Sequence, residues 1–332
     1  MFDSGDKYGM IALPSVLVGP DVPDRVDLGG GLWTATRLPL GLPDHWREWI
    51  GSLRARTLAE GDLFLVASGP SEHPGVLDAE NELYVTQAYD LYLGLHVTDV
   101  VVAHESPYRL TGANRDGDID VRSIGELRVP HWVFGTPLTR LSQRDLEAAA
   151  IIAGSVAETR TAGGFERLGR ALRAFYDGIH DDRVDERIHQ FLRCVEGFVI
   201  PEPGRTLARL RSRTEAFLGP GHHERVGEWF DIRSAVEHLH VSHDSVPGGS
   251  LRDRLVRVMR MAWEVECLAR DCLRRVLSDP ELRDWFATDD RLGAFWELDE
   301  AERRELWGDP MDIEAAEAAF DERFIADQDL GL

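Results

Sequence analysis

An apolar stripe near the C-terminal end of the chain limits the possible folds more than any other feature. Its members follow one another in steps of four and three residues: Leu251, Leu255, Val258, Ala262, Val265, Ala269, Cys272 and Val276. That period is typical of one face of an α-helix, and Ser250 with Asp253 forms an N-capping pattern in front of it. A helix of this kind must bury its apolar face against other helices. We therefore expect it to be the central helix of a bundle.

Other helical patterns surround this one. Ser142 and Asp145 begin a helix that is predicted to run to about Thr159. Two amphipathic helices follow, with apolar residues at Phe165, Leu168, Leu172, Phe175 and Ile179, and then at Val184, Ile188, Phe191, Val195 and Phe198. Further helices are predicted at residues 206–218, at residues 222–241 and around Trp285. Residues 141–298 are therefore predicted to form an all-α bundle.

The first 140 residues have a different pattern, in which short apolar runs are separated by Gly and Pro. This pattern predicts a β-rich mixed domain with strands at residues 62–68, 91–97, 100–103 and 131–134. The second of these strands is predicted from alternation, with these residues on one side: Leu91, Leu93, Leu95 and Val97. The predicted fold class is thus α+β, with a domain boundary near residue 140.

Three local patterns complete this first domain. A helix from about Asp44 to Ala59 interrupts the strands, and we expect its tryptophans, Trp46 and Trp49, to belong to the core. The segment 116–120 alternates carboxylates like a calcium loop but lacks the glycine such a loop needs, so we expect a hairpin turn. The three glycines at 29–31 lack a nucleotide-binding pattern and predict a flexible connection.

The charge of the chain restricts its partners. It carries 59 acidic and 37 basic residues, a formal charge of −22, which argues against non-specific binding to nucleic acid or anionic membranes. The chain contains no apolar stretch of roughly 18 residues and no basic signal-peptide start, so we expect a cytoplasmic protein without membrane contact. The three cysteines, Cys194, Cys267 and Cys272, lack CxxC spacing and are expected to be buried thiols, with no metal or cofactor.

The final segment, residues 299–332, is an acidic tail. Between residues 299 and 329 it carries twelve acidic and three basic residues. Ile313, Glu317, Phe320 and Phe324 have helical spacing, which predicts an amphipathic helix that docks on the bundle with a solvated acidic face.

Histidines are concentrated in one region that also contains Arg233: His222, His223, His238, His240 and His243. The run from His238 to Asp244 is similar to the HxHxDH signature of metallo-β-lactamase-type hydrolases, in which imidazoles and a carboxylate hold zinc. Ser242 stands where that signature needs aspartate, and a helix leads into the motif where the family has a strand. A zinc-dependent hydrolase that uses His238, His240 and His243 is therefore the third hypothesis for function.

The first hypothesis comes from the segment Trp229-Phe230-Asp231-Ile232-Arg233-Ser234, which His238 follows four residues later. It resembles the corresponding segment of the Apea-like branch of the HEPN superfamily, whose hallmark is arginine, four to six residues, then histidine. The resemblance covers residues 160–280, and the segment 185–198 with Glu196 is similar to an early helix of that family. It implies a helical bundle and a metal-independent endoribonuclease, commonly a homodimer, with RNA as its substrate.

The resemblance assigns roles to individual side chains. Arg233 would hold the phosphate oxygens, a histidine would transfer protons, and Ser234 would add a hydrogen bond. Asp231 or Glu196 would orient the histidine or neutralise Arg233. The family spacing favours His238, whereas ideal helical geometry places His240 only about 20° from Arg233, so both remain candidates. Two other arginine–histidine pairs in the chain have the hallmark spacing: Arg173 with His180, and Arg183 with His189.

Two clusters of arginines are candidates for RNA binding: Arg205, Arg209, Arg211 and Arg213, and then Arg252, Arg254, Arg257 and Arg260. Alternatively, they form a solvated face that pairs with the acidic tail. A tail that lies over such arginines would suppress RNA binding, which is a hypothesis of autoinhibition.

The endoribonuclease hypothesis implies a role in bacterial defence or toxin-like RNA cleavage. The second hypothesis is a non-catalytic HEPN-like module that dimerises or binds a nucleotide, with an N-terminal sensing domain. A purely structural alternative is that Arg233 and the nearby histidines cap a helix end and pair with surface carboxylates of Asp231, Glu237 or Asp244.

Overall fold

A computed structural model describes residues 2–41, 44–101, 105–200 and 206–330. The chain divides into two compact units, Met1–Pro130 with Leu138–Ala157, and His131–Pro137 with Glu158–Leu332. The first unit thus includes residues 141–157, which lie beyond the predicted domain boundary near residue 140.

The first unit contains an antiparallel sheet. Its strands are β1 (Asp6–Leu13), β2 (Arg25–Gly29), β3 (Leu32–Ala35), β4 (Leu63–Pro70), β5 (Tyr108–Arg115) and β6 (Asp118–Glu126). Their order across the sheet is β2-β3-β4-β1-β5-β6, so β1 pairs with β4 on one side and with β5 on the other. Strands β1 and β4 are buried over most of their length, which places the core of this unit along the centre of the sheet.

Helices α1 (Asp44–Ile50) and α2 (Ser52–Ala59) occupy the segment predicted as one helix. Gly51 interrupts it with a φ of 95°, a left-handed conformation that glycine adopts readily. Trp46 packs against the sheet core, but Trp49 is 54% exposed and Leu53 63% exposed. The expectation that both tryptophans belong to the core is therefore wrong for Trp49, because the inward face of α1 runs through Trp46 and Ile50, which are four residues apart.

The predicted strand at 91–97 is wrong, because helix α3 (Ala79–Thr98) occupies this segment. Leu91, Tyr92, Leu95 and His96 are all buried, so apolar and polar positions alike face protein. A helix buried on all sides shows no clear helical period in its sequence. Close packing surrounds it, since a Cβ at Gly94 would lie 2.2 Å from the carbonyl oxygen of Ala149 in helix α4 (Gln143–Thr161).

The remaining predictions for this region have mixed outcomes. Strand β4 confirms the predicted strand at 62–68, whereas residues 131–134 form no strand and the predicted strand at 100–103 lies partly outside the described residues. Asp116 and Gly117 join β5 to β6 with φ angles of 56° and 92°, as expected for a tight hairpin turn. The glycines at 29–31 all have positive φ and form the turn between β2 and β3.

The second unit is helical. Its helices are α5 (Glu166–Ile179), α6 (Val184–Val199), α7 (Thr206–Leu218), α8 (His223–Glu237), α9 (Leu251–Ser278), α10 (Pro280–Trp285), α11 (Asp289–Glu297), α12 (Glu300–Trp307) and α13 (Ile313–Ala319). From Val258 to Val276 the predicted apolar stripe of helix α9 is buried, whereas Leu255 is half-buried and Leu251 is 41% exposed. The Ser250 hydroxyl accepts a hydrogen bond from the Asp253 N–H at the start of the helix. Both α5 and α6 contact α9, which confirms its central position.

A buried ion pair joins α6 to α9. Arg187 Nη2 lies 2.7 Å from Glu266 Oε2, and both side chains are almost fully buried. Arg187 also donates to the carbonyl oxygens of His131 and Ile179, and Arg270 donates to the other oxygen of Glu266. These hydrogen bonds satisfy the charges and hold α6 in one position against α9.

The acidic tail is folded onto this unit. Instead of one amphipathic helix it forms α12, α13 and short 3₁₀ turns at residues 322–324 and 327–330. Trp307, Ile313, Phe320 and Ile325 are buried, whereas Phe324 is 70% exposed. Of the predicted apolar face, Ile313 and Phe320 are therefore buried and Phe324 is not.

The cysteines behave as predicted from their spacing. Cys194 and Cys272 are buried thiols and Cys267 is half-buried, and none of them forms a disulfide. Within the described ranges, no helix is both long enough and apolar enough to span a lipid bilayer.

Candidate functional site

Arg233 lies near the end of α8 and connects it to α6. Its Nη1 atom lies 2.8 Å from Oε1 of Glu196 on α6, and its Nη2 atom lies 3.0 Å from Oε1 of Glu237. The guanidinium also stacks 5.4 Å from the ring centre of Phe230. The side chain is 13% exposed, so one edge of it reaches solvent.

The end of α8 decides where the two candidate histidines lie. The N–H of His240 donates to the carbonyl of Ala235 and the N–H of Leu239 donates to that of Val236, which is the hydrogen-bonding pattern of a Schellman C-cap. Leu239 occupies the position of that motif that glycine usually takes, with a φ of 58°. The chain therefore leaves the helix before His240.

This helix end removes the geometric argument for His240. An ideal helix would place Arg233 and His240 on one face, but α8 stops at Glu237 and not at Val241. His238 and His240 are both exposed, with ring centres 6.3 Å apart. Among the described residues Arg233 forms its ion pairs with glutamates and with neither of these histidines.

His189 is the histidine whose charge Arg233 influences, and the sequence analysis did not select it. Burial and the positive charges of Arg233 and Arg193 lower the pKa of its imidazole, and they outweigh the opposing effects of Glu237 and of a hydrogen bond to the backbone of Arg233. The available signal was its spacing from Glu196 on α6: seven residues, or about two turns, place both side chains on one helix face. Its hallmark spacing from Arg183 pointed instead to a different arginine.

Two nitrogens of this cluster are buried and have no hydrogen-bond partner in the described part of the chain. They are Nδ1 of His189 and Nε of Arg233. Buried Nε atoms without a partner also occur in several other arginines. The unpartnered nitrogen of His189 is therefore the stronger indication of a binding site. A buried polar atom without a partner is uncommon in folded proteins and is often found where a ligand or water binds.

Glu196 lies at the centre of this cluster, which we call the Arg233 cluster and define as Arg233, Glu196, Glu237 and His189. Burial raises the pKa of the Glu196 carboxyl, while Arg233 opposes that shift and Glu237 adds to it. Glu196 therefore holds Arg233 in place and neutralises part of its charge, which is one of the two roles expected for it.

The two remaining predicted residues lie on α8 next to Arg233. Ser234 is half-buried, and its carbonyl accepts a hydrogen bond from the N–H of His238 at the helix end. Asp231 is exposed and precedes Arg233 by two residues. Of the surface carboxylates in the structural alternative, Glu237 does pair with Arg233.

The first group of predicted RNA-binding arginines is not one surface patch. Arg205 lies outside the described residues, and Arg209 is exposed. Arg211 lies against Gly227 of α8, where a Cβ would meet its guanidinium at 2.1 Å. Arg213 donates to the carbonyl of Val199 and stacks 4.9 Å from the ring centre of Trp296. Arg211 and Arg213 therefore serve helix packing.

The second group pairs with carboxylates, most of them in the acidic tail. Arg252 lies 3.0 Å from Asp327, and Arg260 lies 3.4 Å from Glu322. Arg254 pairs instead with Asp244, at 3.2 Å. Arg257 pairs with Glu228 on α8. The alternative in which these arginines pair with the tail therefore holds for Arg252 and Arg260 only.

The histidines of the proposed zinc site are not gathered around one point. His243 lies 3.9 Å from Asp244, and His238 contacts only the ring of His240 among the aromatic side chains described. Within the ranges that the structure describes, no three His, Cys, Asp or Glu side chains are grouped as a metal site requires. The zinc hypothesis therefore lacks a set of ligands here.

Comparison with known proteins adds no family to these observations, since no family model, curated protein or solved structure matches the chain.

Proposed function

We propose that this protein is a metal-independent endoribonuclease of HEPN type, with the Arg233 cluster as its active site. The observation that carries the proposal is an arginine held between helices α6 and α8, beside an imidazole with a lowered pKa and a nitrogen without a partner. The proposal includes a homodimer, a cytoplasmic location and a role in bacterial defence or toxin-like RNA cleavage.

The proposed chemistry is transfer of the phosphate to the ribose 2′-oxygen. A histidine removes the proton from the 2′-hydroxyl, the oxygen attacks phosphorus, and the 5′-oxygen leaves with a proton from a second group. The products are a 2′,3′-cyclic phosphate and a 5′-hydroxyl. Arg233 stabilises the negative charge that develops on the phosphate oxygens. DNA lacks the 2′-hydroxyl and is not cleaved.

His189 has the properties of the general base in this scheme. A lowered pKa keeps its imidazole neutral near pH 7, the state that accepts a proton. His238 or His240 then serves as the acid, since both are exposed near the end of α8. Glu237, 41% exposed, is the partner of Arg233 that an incoming phosphate replaces.

The test is cleavage of end-labelled RNA by the full-length protein in excess EDTA. We expect cyclic phosphate ends, and a loss of at least about 100-fold in rate for Arg233→Ala and for His189→Ala. His238→Ala and His240→Ala identify the acid. His243→Ala is the matched control, because its ring lies beside Asp244 and not in the Arg233 cluster. Full activity of Arg233→Ala, with its fold verified by circular dichroism, would contradict the proposal.

A second candidate is the non-catalytic module that dimerises or binds a nucleotide. It is favoured by one observation, namely that both guanidinium nitrogens Nη1 and Nη2 of Arg233 already pair with carboxylates. The wild-type protein would then dimerise without cleaving RNA in any buffer. Elemental analysis of the same preparation tests the zinc hypothesis, which requires stoichiometric bound metal.

A further inference from the structure

A small open pocket lies between α5 and α6, and Glu196, the partner of Arg233, is part of its lining. Its lining consists of Arg167, Arg170, Ala171, Ala174, Arg193, Glu196 and Gly197. It measures about 160 Å³. None of its three arginines was predicted to bind a ligand, because they come from two helices and form no run in the chain.

Small residues make the floor of this pocket. A Cβ at Gly197 would lie 2.6 Å from the Cβ of Ala171, so α5 and α6 approach each other closely here. Ala174 adds another short side chain. The space above this floor is thus left open, with the longer arginine side chains around it.

The arginines around the pocket differ in how their charges are balanced. Arg167 pairs with both carboxylate oxygens of Asp289, at 2.6 and 2.9 Å. Arg170 and Arg193 are exposed, and neither has a carboxylate within ion-pair distance among the described residues. Arg193 reaches only the amide oxygen of Gln190, at 3.4 Å. At longer range the charge of Arg170 acts on Asp289 and that of Arg193 acts on Glu196. Three arginines against the one carboxylate of Glu196 in the lining still give the pocket a positive charge, which favours an anion.

We infer that this pocket binds a phosphate group of the RNA strand, next to the phosphate held at Arg233. The inference rests on the proposed ribonuclease function, and Glu196 provides the link, because it both lines the pocket and pairs with Arg233. Arginine suits this ligand, since its planar guanidinium can donate two hydrogen bonds to one phosphate.

The size of the pocket favours a phosphate of a strand over a whole nucleotide. Sites that enclose small organic ligands usually measure about 300–1,000 Å³. At about 160 Å³ the pocket lies below this range and is open to solvent, which suits one phosphate better than a whole nucleotide. Any base and ribose attached to that phosphate therefore remain outside the pocket.

Binding of a fluorescent 2′-O-methyl RNA tests the inference, because this strand cannot be cleaved and its binding does not depend on catalysis. The double variant Arg170→Gln with Arg193→Gln should weaken binding by about tenfold or more. The slope of log affinity against log salt should also fall by about 0.7, as expected when the contact to one single-stranded phosphate is lost.

The matched control removes two positive charges elsewhere, with Arg47→Gln and Arg56→Gln on exposed positions of α1 and α2. We expect it to bind RNA like the wild type. Equal affinities of the two double variants would overturn the inference, and so would a mononucleotide or polyglutamate that competes as well as the strand does. If the wild type binds this RNA through the pocket but never cleaves RNA, the pocket stands and the ribonuclease proposal fails.

Discussion

Single residues in uncommon states mark the region around α8. Leu239 has a left-handed backbone at the helix end, a conformation that costs a residue with a Cβ about 1–2 kcal/mol. Its side chain is 94% exposed, so no packing offsets this cost.

Leu239→Gly should therefore raise the free energy of unfolding by about 1 kcal/mol. The higher conformational entropy of glycine in the unfolded chain offsets part of this gain. The expected increase in melting temperature is roughly 2–4 °C for a unit of this size. Leu239→Ala is the control, because it removes the exposed side chain but keeps a Cβ in the strained conformation. A similar gain for both variants would show that exposure of leucine, not backbone strain, limits stability.

Glu264 on α9 is a second residue in an uncommon state. It is buried, it accepts a hydrogen bond from Nε1 of Trp229 at 3.1 Å, and its burial raises its pKa to about 7. The folded protein thus retains a proton that the unfolded chain loses near the ordinary pKa of 4.5. Because the native state binds more protons, folding becomes less favourable as the pH rises through this window.

Glu264→Gln should remove this pH dependence while keeping an oxygen for Trp229. We expect the variant to be more stable than the wild type at about pH 8, by on the order of 3 kcal/mol, with a much smaller difference near pH 5. Urea unfolding at both pH values measures this. Glu281→Gln, at an exposed position, should change neither curve; a wild type whose stability is flat over the range would contradict the assignment.

At the scale of whole elements, the acidic tail is bound through its charges and its apolar residues together. Arg225 on α8 pairs with Glu317 at 2.8 Å, and Trp263 on α9 donates to the carbonyl of Ala316 at 2.8 Å. Two residues of the tail itself, Trp307 and Ile313, are buried. Deleting residues 299–332 would therefore remove part of the core and is an unsuitable test of autoinhibition.

Neutral substitutions test that hypothesis without removing buried residues. If the tail suppresses RNA binding, Glu322→Gln with Asp327→Asn should raise the affinity for 2′-O-methyl RNA several-fold, because Arg252 and Arg260 lose ion pairs. Glu300→Gln with Glu305→Gln makes the same change in net charge at exposed positions of α12. An equal gain in both would show that net charge alone controls binding.

For the whole molecule, the balance of charge explains why so few arginines are available to an anion. Acidic residues exceed basic ones by 22, and the arginines of α9 pair within the folded unit. If the protein binds RNA as proposed, the attraction must therefore come from short-range contacts at the Arg233 cluster and the neighbouring pocket. Salt screens exposed charges within about 10 Å at 0.1 M, so binding should be local and strongly dependent on salt.

Elements whose sequence signals are local could be predicted before the structure was known. Helices α5, α6 and α9 follow from apolar spacing, the start of α9 follows from Ser250 and Asp253, and the hairpin turn follows from Asp116 with Gly117. Each signal lies within a few residues along the chain, where hydrogen bonds and side-chain spacing act directly. The α+β class was predictable for the same reason.

Features that depend on residues distant in the chain could not be predicted and required the folded structure. The C-terminal half of helix α3 shows no helical period because it is buried on all sides, and its burial depends on segments far away in the chain. Helix α8 ends before His240, so this residue is not on the helix. The packing of α6 on α8 places His189 and Glu196 beside Arg233. Sequence spacing describes one helix at a time, whereas a site between two helices depends on how they pack.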